Sequence, residues 1–388
     1  MHCSDISNGE LFLAIKNKKQ KNTAGNMAKI LFILNDLGGG GAERVFVNLA
    51  NGFANNNISV QFLVGKKQGV YLDLLNKLIP VGEVGGMSFY KYLRVLPNTF
   101  KKNKYSHVFT ASDYASAAAI LAKKISGTSA KIYLTHHYNL PAGRSLKYWK
   151  GDFVVKLIHR FITPSADKII AVSNGSLAWL RSFSNHKLMQ GMSIYNPVFD
   201  DTIYTLAKEK IDYPVDTTSK IILVSAGRLE DQKDQLTLIK AMGILKKKDP
   251  KIVLFILGAG PLQALLQRFI LQNDLQKNVY LMGFQVNPYK WIDGCDVFVM
   301  SSISEGFGNV LVEAMALGKT IVSTNCPSGP AEILQDGALG YLCPIGDFER
   351  LALSIAEAIQ KPFDSNILIQ SAQQYKISEI VKRYIEIL

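Results

Sequence analysis

From residue 27 onward the chain alternates short apolar runs with stretches of helical spacing. Residues 29–35 (KILFILN) form a continuous apolar run, which suits a strand buried on both faces of a parallel sheet. Gly38, Gly39, Gly40 and Gly41 mark a turn, and over 42–54 the spacing of Val45, Leu49 and Phe53 predicts a helix. Residues 58–64 repeat the strand signal. Shorter strands are predicted at 107–110, 131–135, 168–172 and 193–195.

Asn196-Pro197 breaks the series, because proline restricts its neighbour and cannot join a central ladder. Residues 197–218 carry Asp200, Asp201, Asp212 and Pro214, a polar composition expected of a linker. The alternation then restarts. Strands are predicted at 221–225, 252–257, 279–282, 296–300 and 320–323, with helices at 235–247 and 262–272. Two such series imply an α/β protein of two doubly wound, Rossmann-like domains. In such sheets ligands bind beyond the carboxyl ends of the strands, so two facing sheets share one central cleft. The expected division is a tail at 1–26, a first domain at 27–196, a linker at 197–218, a second domain at 219–365, and a helical segment at 366–388 packing back on the first.

Composition narrows the class. The 388 residues are 48 % hydrophobic and 19 % charged, enough for two full cores. Cys3, Cys295, Cys326 and Cys343 show no C-x-x-C pairing, which argues for unpaired thiols in a reducing compartment rather than a zinc site or disulfide framework. No apolar run reaches the roughly 18 residues that span a bilayer. In the tail, lysines follow a short apolar stretch, the reverse of a signal peptide; a cytoplasmic location is expected. Of the net charge of +13, residues 27–196 supply +14, the second half −3 and the tail +2. A basic first domain suits phosphorylated ligands, or peripheral contact with the inner face of the plasma membrane. A solvated positive face is the plainer alternative, and no nucleic-acid motif is present.

Three glycine-bearing stretches carry candidate chemistry. The first runs from Ser304 to Gly318 after the 296–300 strand. Gly306 and Gly308 allow a tight turn, Asn309 is suited to cap the following helix, and free amides there favour a phosphate. Glu305 before the turn and Glu313 inside the helix can line one pocket and accept hydrogen bonds from vicinal hydroxyls; taken singly, each could equally be a solvated charge. In the second, Gly227-Arg228-Leu229-Glu230-Asp231-Gln232-Lys233, two cations stand where they can neutralise a diphosphate. The third, Gly38 to Arg44, lacks the Gly-x-Gly-x-x-Gly spacing and the later acidic residue of a dinucleotide fingerprint, so a nicotinamide or flavin enzyme is not expected. His136 and His137, at the end of the 131–135 strand, point apart on an extended chain and make a poor metal pair.

Together these residues resemble the GT-B glycosyltransferases, in particular retaining family 4. Glu305 and Glu313 match its Glu-x7-Glu signature. Gly227-Arg228-Leu229 with Lys233, the Gly40–Arg44 loop, and Asn196-Pro197 match further motifs; the likeness covers about residues 29–360. The resemblance implies that Arg228 and Lys233 hold a donor diphosphate, Glu313 the ribose, and Glu305 the transferred sugar. Gly306, Phe307, Gly308 and the amides of Asn309 and Val310 would line the donor, with Gly40 and Gly41 opposite. Gly283 and Phe284 would border the base. A first-domain histidine would face the reacting sugar; the Thr-x-His pattern favours His137, with His136 as its neighbour.

The implied activity is transfer, with retention, of a hexose or N-acetylhexosamine from a nucleotide sugar, expected to be a UDP-sugar, to a glycan or polyprenyl-linked acceptor in surface polysaccharide or glycoconjugate synthesis. Residues 326–333 look like those of such members, although their prolines and glycine equally suit a turn. The nucleotide sugar is a co-substrate, and no cofactor or metal is expected. A non-catalytic subunit of the same fold is the rival reading, and a GT-B epimerase a third without positive signal.

Overall fold

The apolar runs become the central strands of two parallel sheets. The computed structural model describes residues 28–137, 160, 163–183 and 191–388; the expected tail lies outside them. In chain order the first half holds β1 (Lys29–Leu34), α1 (Gly41–Asn55), β2 (Ser59–Val64), β3 (Val81–Glu83), α2 (Phe89–Asn103), β4 (His107–Thr110), α3 (Asp113–Ser126), β5 (Lys131–His136), β6 (Lys168–Ala171), α4 (Asn174–Phe183) and β7 (Gly191–Ser193). The strand order is β3-β2-β1-β4-β5-β6-β7, and every pairing is parallel.

The second half holds α5 (Thr202–Ala207), β8 (Ile221–Ala226), α6 (Gln235–Lys248), β9 (Ile252–Leu257), α7 (Gln263–Gln272), β10 (Val279–Leu281), α8 (Tyr289–Asp293), β11 (Val297–Met300), α9 (Asn309–Ala316), β12 (Thr320–Thr324), α10 (Pro330–Ile333), β13 (Tyr341–Cys343), α11 (Phe348–Gln360), α12 (Ser365–Ala372) and α13 (Ile377–Glu386). Its order is β10-β9-β8-β11-β12-β13, again parallel. Each sheet carries an apolar cluster on both faces, as a doubly wound sheet must. The strand order reverses between β1 and β4 and between β8 and β11, and the loops after β1, β8 and β11 open at those points, where ligands of such folds bind.

Some elements differ from expectation. The edge strand lies at Gly191–Ser193, two residues before the predicted 193–195. Strands β3 and β13, three residues each, were not expected from the sequence. Within the expected linker, α5 buries Ile203 and Ala207 against the second core. Helix α9 begins at Asn309 itself, with Gly308 in the cap position at φ 99° and no side-chain cap bond; the asparagine is engaged elsewhere.

The chain crosses between the sheets twice, side by side. Val198 N donates to Tyr375 O at 3.0 Å and Ile377 N to Phe199 O at 2.8 Å. Helix α12 stays on α9, whereas α13 lies on α1 of the first half: its Val381 fills the space over Gly52, and Ile387 O accepts from the Tyr133 hydroxyl and the Lys168 ammonium.

Candidate active site

The loop after β11 is zipped to the loop after β8 by backbone-directed bonds. Ile303 N donates to Gln232 O, the Gln232 amide to Ser304 O, and Ser301 Oγ to Lys233 O. This brings Lys233 Nζ to 2.5 Å from Glu305 Oε1, with Ser302 Oγ 2.6 Å from the same oxygen. Glu305 is 6 % exposed; a carboxylate so buried is tolerated because a cation and a hydroxyl meet it.

Arg228 leaves the end of β8 where the backbone is crowded: a Cβ on Gly258 would stand 2.0 Å from Gly227 O. Its guanidinium is 3.9 Å from Glu230 and the side chain two-thirds exposed, at 66 %. It therefore reaches open space beyond the strand ends, where a strong fork of donors is available to an anion.

Glu313 sits one turn inside α9, and Tyr289 OH donates to its Oε1 at 3.3 Å. Burial pushes this carboxyl up to about 7, against the pull of the Arg44 guanidinium and the tyrosine bond. Arg44 comes from the first domain, where its Nε donates to Asn48 Oδ1 and its head lies over the Tyr71 ring. Glu313 thus feels the charge of a first-domain cation.

The glycine loop before α1 faces the same place. A Cβ on Gly41 would touch Asn309 Nδ2 at 3.5 Å, and Asn196 Nδ2 donates to Asn309 Oδ1 at 2.8 Å. Gly40 is the cap position of α1, with extended backbone and no side-chain cap bond. Asn196 Oδ1 is buried without a hydrogen-bond partner among the described residues, as is His137 Nδ1.

The two histidines take opposite sides of the sheet end. His136 closes β5 and stacks on Trp179, rings 5.2 Å apart and 13° from parallel. His137 continues past the strand, its Nε2 3.0 Å from Thr135 Oγ1 and its ring 5.7 Å from Phe46 of α1. Burial lowers its pKa to about 4, so the ring is neutral at pH 7. Tyr138 and Asn139 lie outside the described residues.

Of the other expected residues, Phe307 is buried under Tyr195, rings stacked at 5.4 Å, and Gly306 O accepts from first-domain serines. Val310 is part-buried behind Asn309. Gly283 has φ 68° and accepts from Gly258 N at 2.7 Å, leaving Phe284 53 % exposed at the cleft's rim. Ser302, Tyr289, Arg44 and Asn196 were not singled out from the sequence as site residues. Arg44 and Asn196 stood inside quoted motifs; Ser302 and Tyr289 carried no spacing signal, since only the fold sets them beside Glu305 and Glu313.

Comparison with known proteins agrees with this architecture. The profile of Glycosyltransferase Family 4 matches residues 39–198, and that of Glycosyl transferases group 1 matches residues 208–375. An uncharacterised glycosyltransferase of Methanocaldococcus jannaschii is 31 % identical over 212 residues, 54 % of this chain and 48 % of that protein. The N-acetylgalactosamine-N,N'-diacetylbacillosaminyl-diphospho-undecaprenol 4-alpha-N-acetylgalactosaminyltransferase of Campylobacter jejuni is 29 % identical over 340 residues, 82 % of this chain and 87 % of that enzyme. The crystal structure of Anabaena HepE in complex with UDP superposes with a TM-score of 0.75 at 22 % identity, covering 92 % of this chain and 99 % of that one. With both profiles matched in tandem on two facing Rossmann-like sheets, the chain belongs to the GT-B glycosyltransferases, with a family 4 first domain and a group 1 second domain.

Proposed function

We propose that the chain transfers a hexose or N-acetylhexosamine, with retention of anomeric configuration, from a UDP-sugar to a glycan or polyprenyl-linked acceptor of a surface polysaccharide or glycoconjugate. The observation that carries this reading is the meeting of Lys233, from the loop after β8, with Glu305, from the loop after β11, at 2.5 Å, with Arg228 exposed on the first of these loops and Glu313 one turn into the helix that follows the second. Two cations suit a diphosphate, and two carboxylates suit hydroxyl pairs on either side of it. The UDP bound to Anabaena HepE and the undecaprenyl-linked acceptor named for the Campylobacter enzyme support the same donor and acceptor classes.

In this reading Arg228, Lys233 and the first amides of α9 stabilise charge developing on the departing diphosphate, which gives the site its own positive potential without a metal. Glu305 holds the transferred sugar. His137, neutral and with Nδ1 unpaired among the described residues, offers an acceptor to a sugar hydroxyl from the first-domain side. The acceptor enters along the basic first domain. No described helix is long and apolar enough to cross a membrane, and peripheral attraction to an anionic leaflet would bring a lipid-linked acceptor within reach.

A thermal-shift screen of nucleotide sugars tests the donor assignment: a ligand at 100 times its dissociation constant stabilises by about 2.7 kcal/mol. The hit should also be cleaved slowly without acceptor. A chain stabilised by no nucleotide sugar, or one that binds but never cleaves, would sink the proposal.

A further inference from the structure

The first turn of α4 makes several polar contacts with the second domain. A helix leaves its first amides without partners in its own chain above. Here Asn174 N and Gly175 N donate to the two carboxylate oxygens of Glu332, at 2.9 and 2.7 Å. Ser176 N donates to Ser173 Oγ at 3.0 Å, an N-cap bond, and Leu177 N to Ser173 O. Glu332 belongs to α10 of the second domain, so half of this cap comes from across the cleft.

The same turn presents two buried hydroxyls to the donor loop. Ser173 Oγ and Ser176 Oγ lie 2.9 and 3.0 Å from the carbonyl oxygen of Gly306, and both serines are 0 % exposed. A carbonyl has two lone pairs and can accept from both. Gly306 directly follows Glu305. The surrounding packing leaves no slack: a Cβ on Gly175 would stand 2.7 Å from Ser328 Oγ, and one on Gly329 would stand 1.8 Å from Phe307 O. The loop with Ser328 and Gly329 that leads into α10 is thus wedged between α4 and the donor turn.

We infer that Ser173 and Ser176 are positioning residues for sugar transfer, holding the Gly306 peptide so that Glu305 meets the transferred sugar only when the cleft is shut. The inference rests on the reading of Glu305 as the sugar-binding carboxylate. Arg228, Lys233 and Glu313 can engage the nucleotide without these serines, whereas the sugar end depends on a turn completed by the opposite domain. Binding and sugar placement are thereby separated: the open chain takes up the nucleotide, and closure completes the sugar site. That order limits wasteful hydrolysis.

The test is Ser176→Ala in the full chain, because Ser176 is not the cap residue and its loss leaves the Ser173 bond to the helix intact. The expected result is a fall in kcat of about 3- to 10-fold for the nucleotide sugar that wild type cleaves, the worth of one hydrogen bond. Affinity for UDP, measured by calorimetry, is expected to stay within about twofold, since uniform nucleotide binding is untouched. Should the alanine variant fold poorly, Ser176→Cys keeps the shape with a weak donor and is expected to show the same split. An unchanged kcat, or a kcat and a UDP affinity that fall together, would overturn the inference. Lys233→Ala serves as the reference: if it leaves UDP binding intact, the site reading itself fails, and the inference with it.

Discussion

Lys233 and Glu305, 72 positions apart, meet at 2.5 Å because a short turn ending in Lys233 is zipped to the loop after β11. In the proposed function the pair would link the diphosphate end of the site to the sugar end. Glu305 is the more buried partner, and Ser302 also donates to it. Removing the lysine leaves a buried carboxylate with a hydroxyl alone, which is costly. Lys233→Ala is therefore expected to lower unfolding stability by about 1–3 kcal/mol, the lysine's partial exposure reducing the loss. Adding Glu305→Gln is expected to restore part of it, because a neutral amide needs no cation. Urea midpoints of the two single variants and the double variant check the coupling; strict additivity would show that the pair does not interact in solution.

Activity is expected to respond more sharply than stability. Arg228→Ala and Lys233→Ala should each reduce turnover by about 100-fold or more, the usual worth of a preorganised group facing developing charge. Steady-state rates with the donor found by screening decide the matter, and full activity in either variant would remove that residue from the reaction.

If Glu313 binds the donor as proposed, its raised carboxyl is expected to make donor binding dependent on pH. In the free chain it is protonated below about pH 7, whereas an unburied glutamate ionises near 4.5. Stability carried by the neutral form is therefore complete below pH 4.5 and is lost as pH rises from there through 7. If the ribose hydroxyls take up the ionised form, binding below pH 7 must release a proton and affinity must rise toward pH 8. A nucleotide sugar is the right probe, since its diphosphate has no group titrating in this range. Calorimetry in buffers of different ionisation enthalpy should show the released proton, and Glu313→Gln should abolish it.

His137 gives the opposite slope. Its pKa is lowered to about 4 from 6.5 by burial, so the unfolded chain binds the extra proton first as pH falls. Its contribution is complete above pH 6.5 and disappears as pH drops through 4. Between pH 4.5 and 6.5 the two groups oppose one another. Glu313→Gln is expected to leave the histidine's slope exposed, giving a steeper acid loss of stability than wild type in urea titrations at pH 5 and 7.

The periodic elements were legible in the sequence, and so was the pairing of glycine-bearing loops with strand ends. Long apolar strands such as Ile252–Leu257 and the helix from Gly41 announce themselves by pattern alone. What pattern cannot supply is contact across the cleft. Arg44 is brought toward Glu313, and Asn196 to Asn309, only by the facing of two sheets. The asparagine expected as a helix cap shows the limit well: Asn309 fits a cap by residue type, but Gly308 at φ 99° takes that place and frees the amide for Asn196. Likewise Glu332, read inside a turn-like segment, proves to cap a helix of the opposite domain.

The return of α13 to the first domain can be tested through one glycine. A Cβ on Gly52 of α1 would lie 2.4 Å from Val381 Cγ2 and 3.3 Å from its Cγ1, so the two helices approach as closely as a missing side chain permits. Helix propensity alone would favour alanine at position 52, yet overpacking a tight contact costs about 1–3 kcal/mol. Gly52→Ala is expected to destabilise the chain, and Val381→Ala, which leaves a void by itself, is expected to rescue much of that loss. The sign of the coupling in the double-mutant cycle is the diagnostic. An isolated helix α1 would be stabilised by Gly52→Ala, so a stabilised variant would mean that α13 does not rest there in solution.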